Sequence, residues 1–322
     1  MSENIAREAA DMPLKDALAH LDRVEAALHT ADDTERSALL MAWAALLERC
    51  RSLSAQDKVY LARHPRRPKI DETVQALFTD FFEQRGDRQC REDASILGGI
   101  ARFHGRPVTV VGHRKGRTLE ENMACNFGMP GPEGYRKALR IMRQAEKFGR
   151  PIFTFIDTPG AYPGIEAEER GQSEAIARNL AEMSRLRVPV IAVITGEGNS
   201  GGALALGLAD RMLMLENAYF AVLSPEGFSS ILWKDATRRD EACGVMKLTA
   251  QDLLQFGIID DVVSEPPGGA QRDRAALFAS LDAALMRALD ALDAQNGDLL
   301  PLRYKKYREI GASFLCSPDK RP

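Results

Sequence analysis

The chain has 322 residues, of which 45% are hydrophobic and 28% charged, an ordinary composition for a globular protein. Its 43 basic and 46 acidic residues give a net charge of −3. This balance gives no support for nucleic-acid binding. The sequence also shows neither a signal-peptide core nor an apolar run of the ~20 residues that a membrane helix needs, so we expect a cytoplasmic protein. The cysteines are scattered without a Cys-x-x-Cys pair, which predicts reduced thiols rather than a disulfide framework or a zinc site; they are Cys50, Cys90, Cys125, Cys243 and Cys316.

Apolar residues in residues 1–63 recur at the spacing of a helix, which predicts helical structure for this segment. The pattern divides into two amphipathic helices separated by a polar break at residues 30–34. The apolar positions are Leu14, Leu18, Leu21, Leu28, Leu39, Leu40, Trp43, Leu46 and Leu47. We expect residues 1–65 to form a helical arm that stabilises the rest of the chain. Prolines end the arm, and the basic pair Arg66 and Arg67 is predicted to face solvent.

A helix, a hairpin and a second helix are predicted next. Residues 71–85 indicate a phenylalanine-rich helix, and residues 95–104 and 107–112 indicate two strands around a tight turn. The basic glycine segment 112–118 lacks the spacing of a phosphate-binding P-loop, so we interpret it as a surface turn, with contact to an anionic ligand as the alternative. The second helix covers residues 132 to about 148.

The central segment repeats one unit, which is a buried strand, a glycine loop and a helix. One copy covers residues 151–185, with its loop at 157–164 and its helix at 168–185, and the next covers 188–209, with its loop at 195–202. Stacked units of this kind predict an α/β spiral around a parallel or mixed sheet. A binding crevice is expected where the loops leave the strand ends.

The C-terminal part is predicted to be mostly helical, with helices at residues 227–236, 248–256, 272–295 and 299–310 and a short strand at 257–266. Gly268 and Gly269 resemble a linker. The chain therefore divides into a helical arm (1–65), an α/β core (66–268) and a helical C-terminal segment (269–322).

The glycine loop of the second unit matches three motifs that exclude one another. Gly196-x-Gly198-x-x-Gly201, with Glu216 at the end of the next strand, matches a dinucleotide fingerprint. That fingerprint usually opens its domain, whereas about 195 residues precede it in this chain. A glycine turn between a strand and a helix also directs backbone N–H groups at one spot, so Gly201 and Gly202 match an oxyanion hole.

The third motif, Gly198-x-Ser200-x-Gly202, matches the nucleophile elbow of an α/β-hydrolase. Its triad needs a histidine downstream of the serine. The five histidines all precede Ser200, at His20, His29, His64, His104 and His113. The order of residues therefore argues against a hydrolase.

Longer segments carry a resemblance to known proteins. Residues 201–226 resemble the core of the crotonase superfamily, where a Gly-Gly pair opens a helix and an Asn-Ala-x-Phe strand leads to Pro-Glu. With residues 136–140, 155–164, 168–180 and 224–234, the chain is similar to the alpha subunits of bacterial acetyl-coenzyme A carboxylase carboxyltransferase, from about residue 58 to about 310. The resemblance implies a crotonase-like spiral with helical N- and C-terminal extensions, and a coenzyme A carboxyltransferase C-terminal type domain at about 36–296.

The resemblance also implies a reaction. Carboxybiotin on a biotin carboxyl carrier protein would give its carboxyl group to acetyl-CoA, forming malonyl-CoA for fatty-acid biosynthesis. A biotin carboxylase partner would use the ATP. A beta subunit would bind coenzyme A, carry the zinc and complete an α2β2 assembly, and this chain would hold no metal.

The resemblance places the biotin oxyanion hole on Gly201 and Gly202 as the catalytic residues. It assigns substrate binding to Gly160, Ala161, Tyr162, Gly164, Gly198, Asn199 and Ser200. The residues agree with carboxyl transfer on one point of chemistry: residues 151–232, which hold every proposed site loop, contain no histidine. Without a histidine for acid–base catalysis, these loops can still stabilise an oxyanion electrostatically through backbone N–H groups. The loop at 160–164 is interrupted by Tyr162 and Pro163, so we expect it to make a poor second oxyanion hole.

Two departures from the family pattern leave alternatives open. Asn199 stands where the family has glycine, and we expect it at positive φ, which asparagine tolerates. Residues 123–125 lack basic side chains that the family often carries. A paralogue serving a specialised pathway, an enoyl-CoA hydratase or isomerase that uses Glu226 as its acid–base, and a non-catalytic scaffold remain as alternative hypotheses.

Overall fold

An eight-stranded sheet lies at the centre of the computed structural model, which describes residues 8–295 and 297–312. The strands are β1 (Thr79–Glu83), β2 (Ile96–Phe103), β3 (Arg106–His113), β4 (Ile152–Thr158), β5 (Val190–Asn199), β6 (Arg211–Leu215), β7 (Tyr219–Ala221) and β8 (Asp261–Val263). Their order across the sheet is β1-β2-β3-β4-β5-β6-β8, and β7 pairs with the end of β5. The first three strands run antiparallel and the others parallel.

Helices cover the sheet and extend from both of its ends. They are α1 (Leu14–Leu28), α2 (Asp33–Arg51), α3 (Ala55–Ala62), α4 (Ile70–Leu77), α5 (Leu119–Ala124), α6 (Pro132–Lys147), α7 (Ile165–Glu169), α8 (Gln172–Met183), α9 (Ser200–Gly207), α10 (Pro225–Trp233), α11 (Arg239–Val245), α12 (Ala250–Gln255), α13 (Arg274–Asp293) and α14 (Leu299–Glu309). No helix among the described residues is both long and apolar enough to cross a bilayer.

The central strands β4 and β5 are buried almost throughout. Helices cover both faces of a parallel sheet, which explains why these strands are nearly continuous apolar runs rather than alternating ones. A loop and two helices follow β4, whereas β5 passes directly into α9, so the predicted alternation of strands and helices is confirmed. The predicted hairpin is also confirmed, with Ile96 opposite His113 and Phe103 opposite Arg106.

Two predicted helices are wrong in extent. The helix expected over 71–85 ends at Leu77, and the next residues form β1, in which Thr79 pairs with Arg102 and Phe82 with Ile100. Aromatic residues suit a strand as well as a helix, and the hydrogen bonds of β2 decide between them. The helix expected over 168–185 is broken at Gly171, whose φ of 85° falls in the left-handed region.

The N-terminal arm contains a third helix, α3, which the pattern missed. Ser54 accepts a hydrogen bond from the amide of Asp57, whose carboxylate accepts one from the amide of Ser54, so a capping box starts this helix. Val59 and Ala62 belong to the main apolar core, so the core is continuous across the boundary expected at residue 65. Cys316 and the outer ends of both predicted helical segments lie outside the described residues.

The predicted exposure of Arg67 is wrong. Its guanidinium is buried, with Nη1 3.0 Å from Glu265 Oε2 and Nε 2.6 Å from the carbonyl oxygen of Thr195. A buried charge needs a partner of opposite sign, and here that partner lies 198 positions away, where no local pattern indicates it. Its neighbour Arg66 is exposed as predicted.

Candidate active site

The strand β5 continues through the segment that the sequence predicts as a glycine turn. Glu197 pairs with Tyr219 and Asn199 with Ala221 in the short strand β7, so residues 197–199 are extended. Asn199 has φ −111° and ψ 138°, which corrects the expectation of a positive φ. The sharp change of direction falls on Ser200, whose φ is 60°, and α9 starts there.

Gly202 in the first turn of α9 contacts the loop that follows β4. A β-carbon at Gly202 would lie 2.5 Å from the backbone nitrogen of Ala161 and 2.7 Å from the carbonyl carbon of Gly160. Only glycine permits so close an approach of two backbones. The structure therefore brings together the two loops of successive units. Whether the loop at 160–164 is a poor second oxyanion hole stays a prediction.

Gly201 differs from its neighbour. A β-carbon there would meet only the side chain of Ile176, at the ordinary contact distance of 3.5 Å. Space therefore does not require glycine at this position, and the close packing in the pair belongs to Gly202.

Buried hydrogen bonds hold the loop that contains Gly160. The amide of Gly160 donates to Thr158 Oγ1 over 3.0 Å, and the amide of Tyr162 donates to the carbonyl of Pro130 over 3.0 Å. The side chain of Gln172 donates from Nε2 to the carbonyls of both Pro130 and Tyr162, at 2.9 and 3.0 Å. These bonds fix the backbone at the point where it meets α9.

Tyr162, Gly164 and Gly198 stay predicted substrate-binding residues, and the structure shows a local contact for each of them. A β-carbon at Gly164 would lie 2.3 Å from the ring of Tyr162, so Gly164 leaves room for that ring, and the tyrosine hydroxyl donates to Glu166 Oε1 over 2.9 Å. A β-carbon at Gly198 would lie 2.9 Å from the ring of Phe220. Gly198 therefore allows β7 to pack on β5.

A network of buried charges lies beside β4 and β5. Lys115 Nζ lies 2.7 Å from Asp157 Oδ1 and 2.8 Å from Glu197 Oε2. Burial would raise the pKa of Asp157, but Lys115 and Lys69 hold it at about 2. The segment 112–118 is therefore not a plain surface turn, because Lys115 binds carboxylates within the protein.

Arg63 extends this network from the end of α3. Its Nε lies 2.7 Å from Glu197 Oε1, and its Nη1 lies 2.7 Å from Glu226 Oε1. Burial would raise the pKa of Glu226, but the hydrogen bond from Arg63 holds it below the ordinary value. A general acid needs a raised pKa, so this pairing argues against Glu226 as the acid–base of a hydratase.

His113 is the functional candidate that the sequence missed. It ends β3, is buried, and has no partner in hydrogen-bond geometry at either ring nitrogen. Burial lowers its pKa to about 4, against the opposing effects of Asp157 and of the backbones of Phe155 and Gly202. A neutral imidazole therefore lies behind the first turn of α9. The only signal in the sequence is a histidine at the end of an apolar strand.

An apolar groove of about 570 Å³ opens beside the same turn. Its lining consists of Ser200, Gly201, Leu204, Phe220, Ala221, Val222, Leu223, Phe228, Met246, Lys247, Leu253, Phe256 and Ile258. None of these side chains is an acid or a histidine. Within residues 8–295 and 297–312, no group of three or more histidine, cysteine, aspartate or glutamate side chains is arranged to hold a metal ion.

The arrangement can stabilise negative charge on a ligand oxygen. The first four N–H groups of any helix lack intrahelical partners and lie at the positive end of its dipole. Here these groups belong to a turn that starts at Ser200 and includes Gly201 and Gly202, with an apolar groove at its side. An anionic oxygen attached to a largely apolar group suits this site.

Comparison with known proteins agrees with this chemistry. Residues 8–311 match the family described as acetyl co-enzyme A carboxylase carboxyltransferase-like. An acetyl-coenzyme A carboxylase carboxyl transferase subunit alpha from Bacillus velezensis is 55% identical over 262 residues, 81% of each chain. The subunit of the same name from Clostridium acetobutylicum is 52% identical over 274 residues, 85% of this chain and 100% of the relative.

Solved structures show the fold. The 12S transcarboxylase with methylmalonyl-coenzyme A bound aligns with a TM-score of 0.58 and 19% identity, over 78% of this chain and 45% of the other. A Pseudomonas malonate decarboxylase hetero-tetramer in complex with coenzyme A aligns with a TM-score of 0.56 and 17% identity, over 69% of this chain and 90% of the other. The predicted crotonase-like α/β fold is confirmed.

Proposed function

This chain belongs to the acetyl-coenzyme A carboxylase carboxyltransferase alpha-subunit family, and we propose that, with a beta subunit, it transfers the carboxyl group of carboxybiotin to acetyl-CoA to form malonyl-CoA. The observation that carries the proposal is the contact of Gly202 with Gly160 and Ala161 at the start of α9, beside an apolar groove.

The groove fits the biotin group. Its lining is apolar apart from Ser200 and Lys247, and it reaches the helix start at Gly201. The fused rings of biotin can pack on apolar side chains while a ureido oxygen faces the backbone N–H groups. Carboxybiotin supplies the carboxyl group, and the residues of this chain bind the ring and orient it.

Backbone N–H groups of α9 stabilise negative charge in this proposal. In other oxyanion holes the removal of one such donor costs roughly 3–4 kcal/mol of transition-state stabilisation. The donors must be held rigidly to have this effect. The packing of Gly202 on Ala161 and the hydrogen bonds of Thr158 supply that rigidity.

The N–H groups at the start of α9 supply a half-site in this proposal. The reaction develops charge on two oxygens, one on biotin and one on the thioester enolate, and α9 offers one helix start. A homologous beta subunit would supply the other half and the coenzyme A site, in an α2β2 assembly. A biotin carboxyl carrier protein and an ATP-dependent biotin carboxylase would deliver the carboxylated biotin. The cytoplasmic location expected from the sequence stays a prediction.

Reconstitution tests the proposal. The purified chain, a beta subunit from the same organism and a carboxylated carrier protein are mixed with acetyl-CoA, and malonyl-CoA is measured. We expect malonyl-CoA only when both subunits are present. Malonyl-CoA formation by the chain alone would refute the half-site arrangement. Hydration of crotonyl-CoA by the chain alone, without carboxyl transfer in the mixture, would favour the hydratase alternative.

A further inference from the structure

The side chain of Asn199 ends a hydrogen-bond chain that begins in the N-terminal arm. Asn199 is 1% exposed, and its Nδ2 donates to the hydroxyl of Tyr219 over 2.9 Å. The residue directly precedes Ser200, where the backbone passes from φ −111° to φ 60° and α9 begins. Its side chain is therefore attached at the last extended residue before the proposed N–H donors.

The Tyr219 hydroxyl is fully occupied. It accepts from Asn199 and from Arg63 Nη2, the latter also over 2.9 Å, and it donates to Glu197 Oε1 over 2.7 Å. A hydroxyl has one hydrogen and two lone pairs, so these three bonds exhaust it. Glu197 is itself held by Lys115 at 2.8 Å. The hydroxyl hydrogen thus has one direction only, towards Glu197, and the Asn199 amide must present its Nδ2 donor to the hydroxyl oxygen.

The Asn199 amide has no second acceptable arrangement in this pocket. Its Oδ1 is buried without a hydrogen-bond partner. The orientation that directs Nδ2 at Tyr219 therefore leaves one amide oxygen unsatisfied, which costs free energy. Asn199 also makes no side-chain cap to α9, the usual role of asparagine at this position. The bond to Tyr219 is the polar contact that this side chain makes.

We propose that Asn199 and Tyr219 are positioning residues for carboxyl transfer: their hydrogen bond fixes the end of β5 and so sets the direction in which α9 presents its first N–H groups. The inference rests on the proposed function. Because Arg63 belongs to the segment that follows α3, the N-terminal arm takes part in placing the active-site turn and is more than a stabilising appendage.

A double-mutant cycle tests this inference in the reconstituted enzyme. The variants are Asn199→Ala, Tyr219→Phe and both together, with Tyr307→Phe as the matched control. Tyr307 is a half-buried tyrosine of α14 whose hydroxyl accepts from the amide of Ala209 over 2.9 Å. Each single site variant should lower kcat about tenfold or more, since small displacements of reacting groups have effects of that order, and should leave the KM for acetyl-CoA unchanged.

The double variant should lose no more kcat than Tyr219→Phe alone, because both changes remove the same bond. Tyr307→Phe should lower the unfolding midpoint without this loss of kcat. If Asn199→Ala and Tyr219→Phe keep kcat within about twofold of wild type, or if their effects multiply, the inference is wrong. Should Tyr219→Phe fail to assemble, Asn199→Ala alone decides.

Hydrogen exchange separates a failure of this inference from a failure of the proposed function. In the isolated chain, Asn199→Ala should speed exchange of the amides at residues 200–203, and Tyr307→Phe should not. Unchanged exchange at these amides would overturn the positioning role whatever the enzyme catalyses. Absence of malonyl-CoA with the wild-type complex would instead refute the proposed function.

Discussion

Replacing each glycine of the Gly201–Gly202 pair by alanine separates packing from chemistry at the proposed site. At Gly202 the new β-carbon would lie 2.5 Å from the nitrogen of Ala161, about 0.9 Å short of an ordinary contact. Both partners are backbone, so the loop or the helix must move. At Gly201 the same β-carbon meets a side chain of Ile176 at 3.5 Å and nothing must move.

The expected effects on stability have opposite signs. Overpacking costs roughly 1–3 kcal/mol, and alanine in place of glycine within a helix returns about 1 kcal/mol. Gly202→Ala should therefore lower the free energy of unfolding by up to about 2 kcal/mol. Gly201→Ala should leave it unchanged or raise it by up to about 1 kcal/mol.

Activity should fall at Gly202. A displacement near 1 Å at reacting groups can cost about a hundredfold in rate, and we expect a loss of that order for Gly202→Ala. Gly201→Ala should keep at least about ten times the activity of Gly202→Ala. The assay is malonyl-CoA formation by the reconstituted enzyme, with circular dichroism to show that each variant is folded. Near wild-type turnover by Gly202→Ala would refute the argument that close approach at this glycine places the donors.

Three further changes probe buried groups. Arg67→Met should lower the free energy of unfolding by about 3–5 kcal/mol, because the buried carboxylate of Glu265 loses its partner of opposite charge. The control Arg66→Met, at an exposed residue, should change it by less than about 0.5 kcal/mol. Urea titration measures both, and equal effects would contradict the pairing of Arg67 with Glu265. Tyr135→Phe should leave stability unchanged or raise it by up to about 1 kcal/mol, because the hydroxyl is buried without a partner, and a clear loss of stability would reveal a bond that the structure lacks. The pKa of His113 is lowered to about 4, so between pH 6.5 and 4 the unfolded chain binds a proton at this residue and the folded chain does not. The contribution of neutral His113 to stability is therefore complete above pH 6.5 and is lost as the pH falls towards 4. His113→Gln should therefore lose less stability than wild type between pH 7 and pH 5 in urea titrations, and parallel losses would show that His113 does not titrate in this way.

Short-range patterns in the sequence were sufficient for much of the core. The apolar runs predicted β4 and β5, and a helix follows each of these strands, after a loop for β4 and directly for β5. The glycine segment predicted a helix start near Gly201, because such a segment after a buried strand allows a sharp turn. The resemblance of the site loops to a known family was confirmed by relatives that are 52–55% identical.

Where pairing between distant segments competes with local preference, the sequence was misleading. Residues 79–83 extend a helical pattern but form β1, because β2 offers them a ladder of hydrogen bonds. Asn199 was expected to take the strained turn, but pairing with β7 holds it extended and moves the turn to Ser200. A local pattern cannot show which residue a neighbouring strand will hold.

The sequence by itself determined the strand–helix repeat of the core and the family, because periodicity and motifs are properties of neighbouring residues. Only the tertiary structure decided which glycine meets another backbone, and which charges are buried together. Arg63 and Glu197 are 134 positions apart, and their carboxylate–guanidinium contact of 2.7 Å exists because the fold brings the arm to the end of β5. Glu197 is buried and Arg63 is half-buried, and burial, which strengthens such a pair, depends on the whole fold.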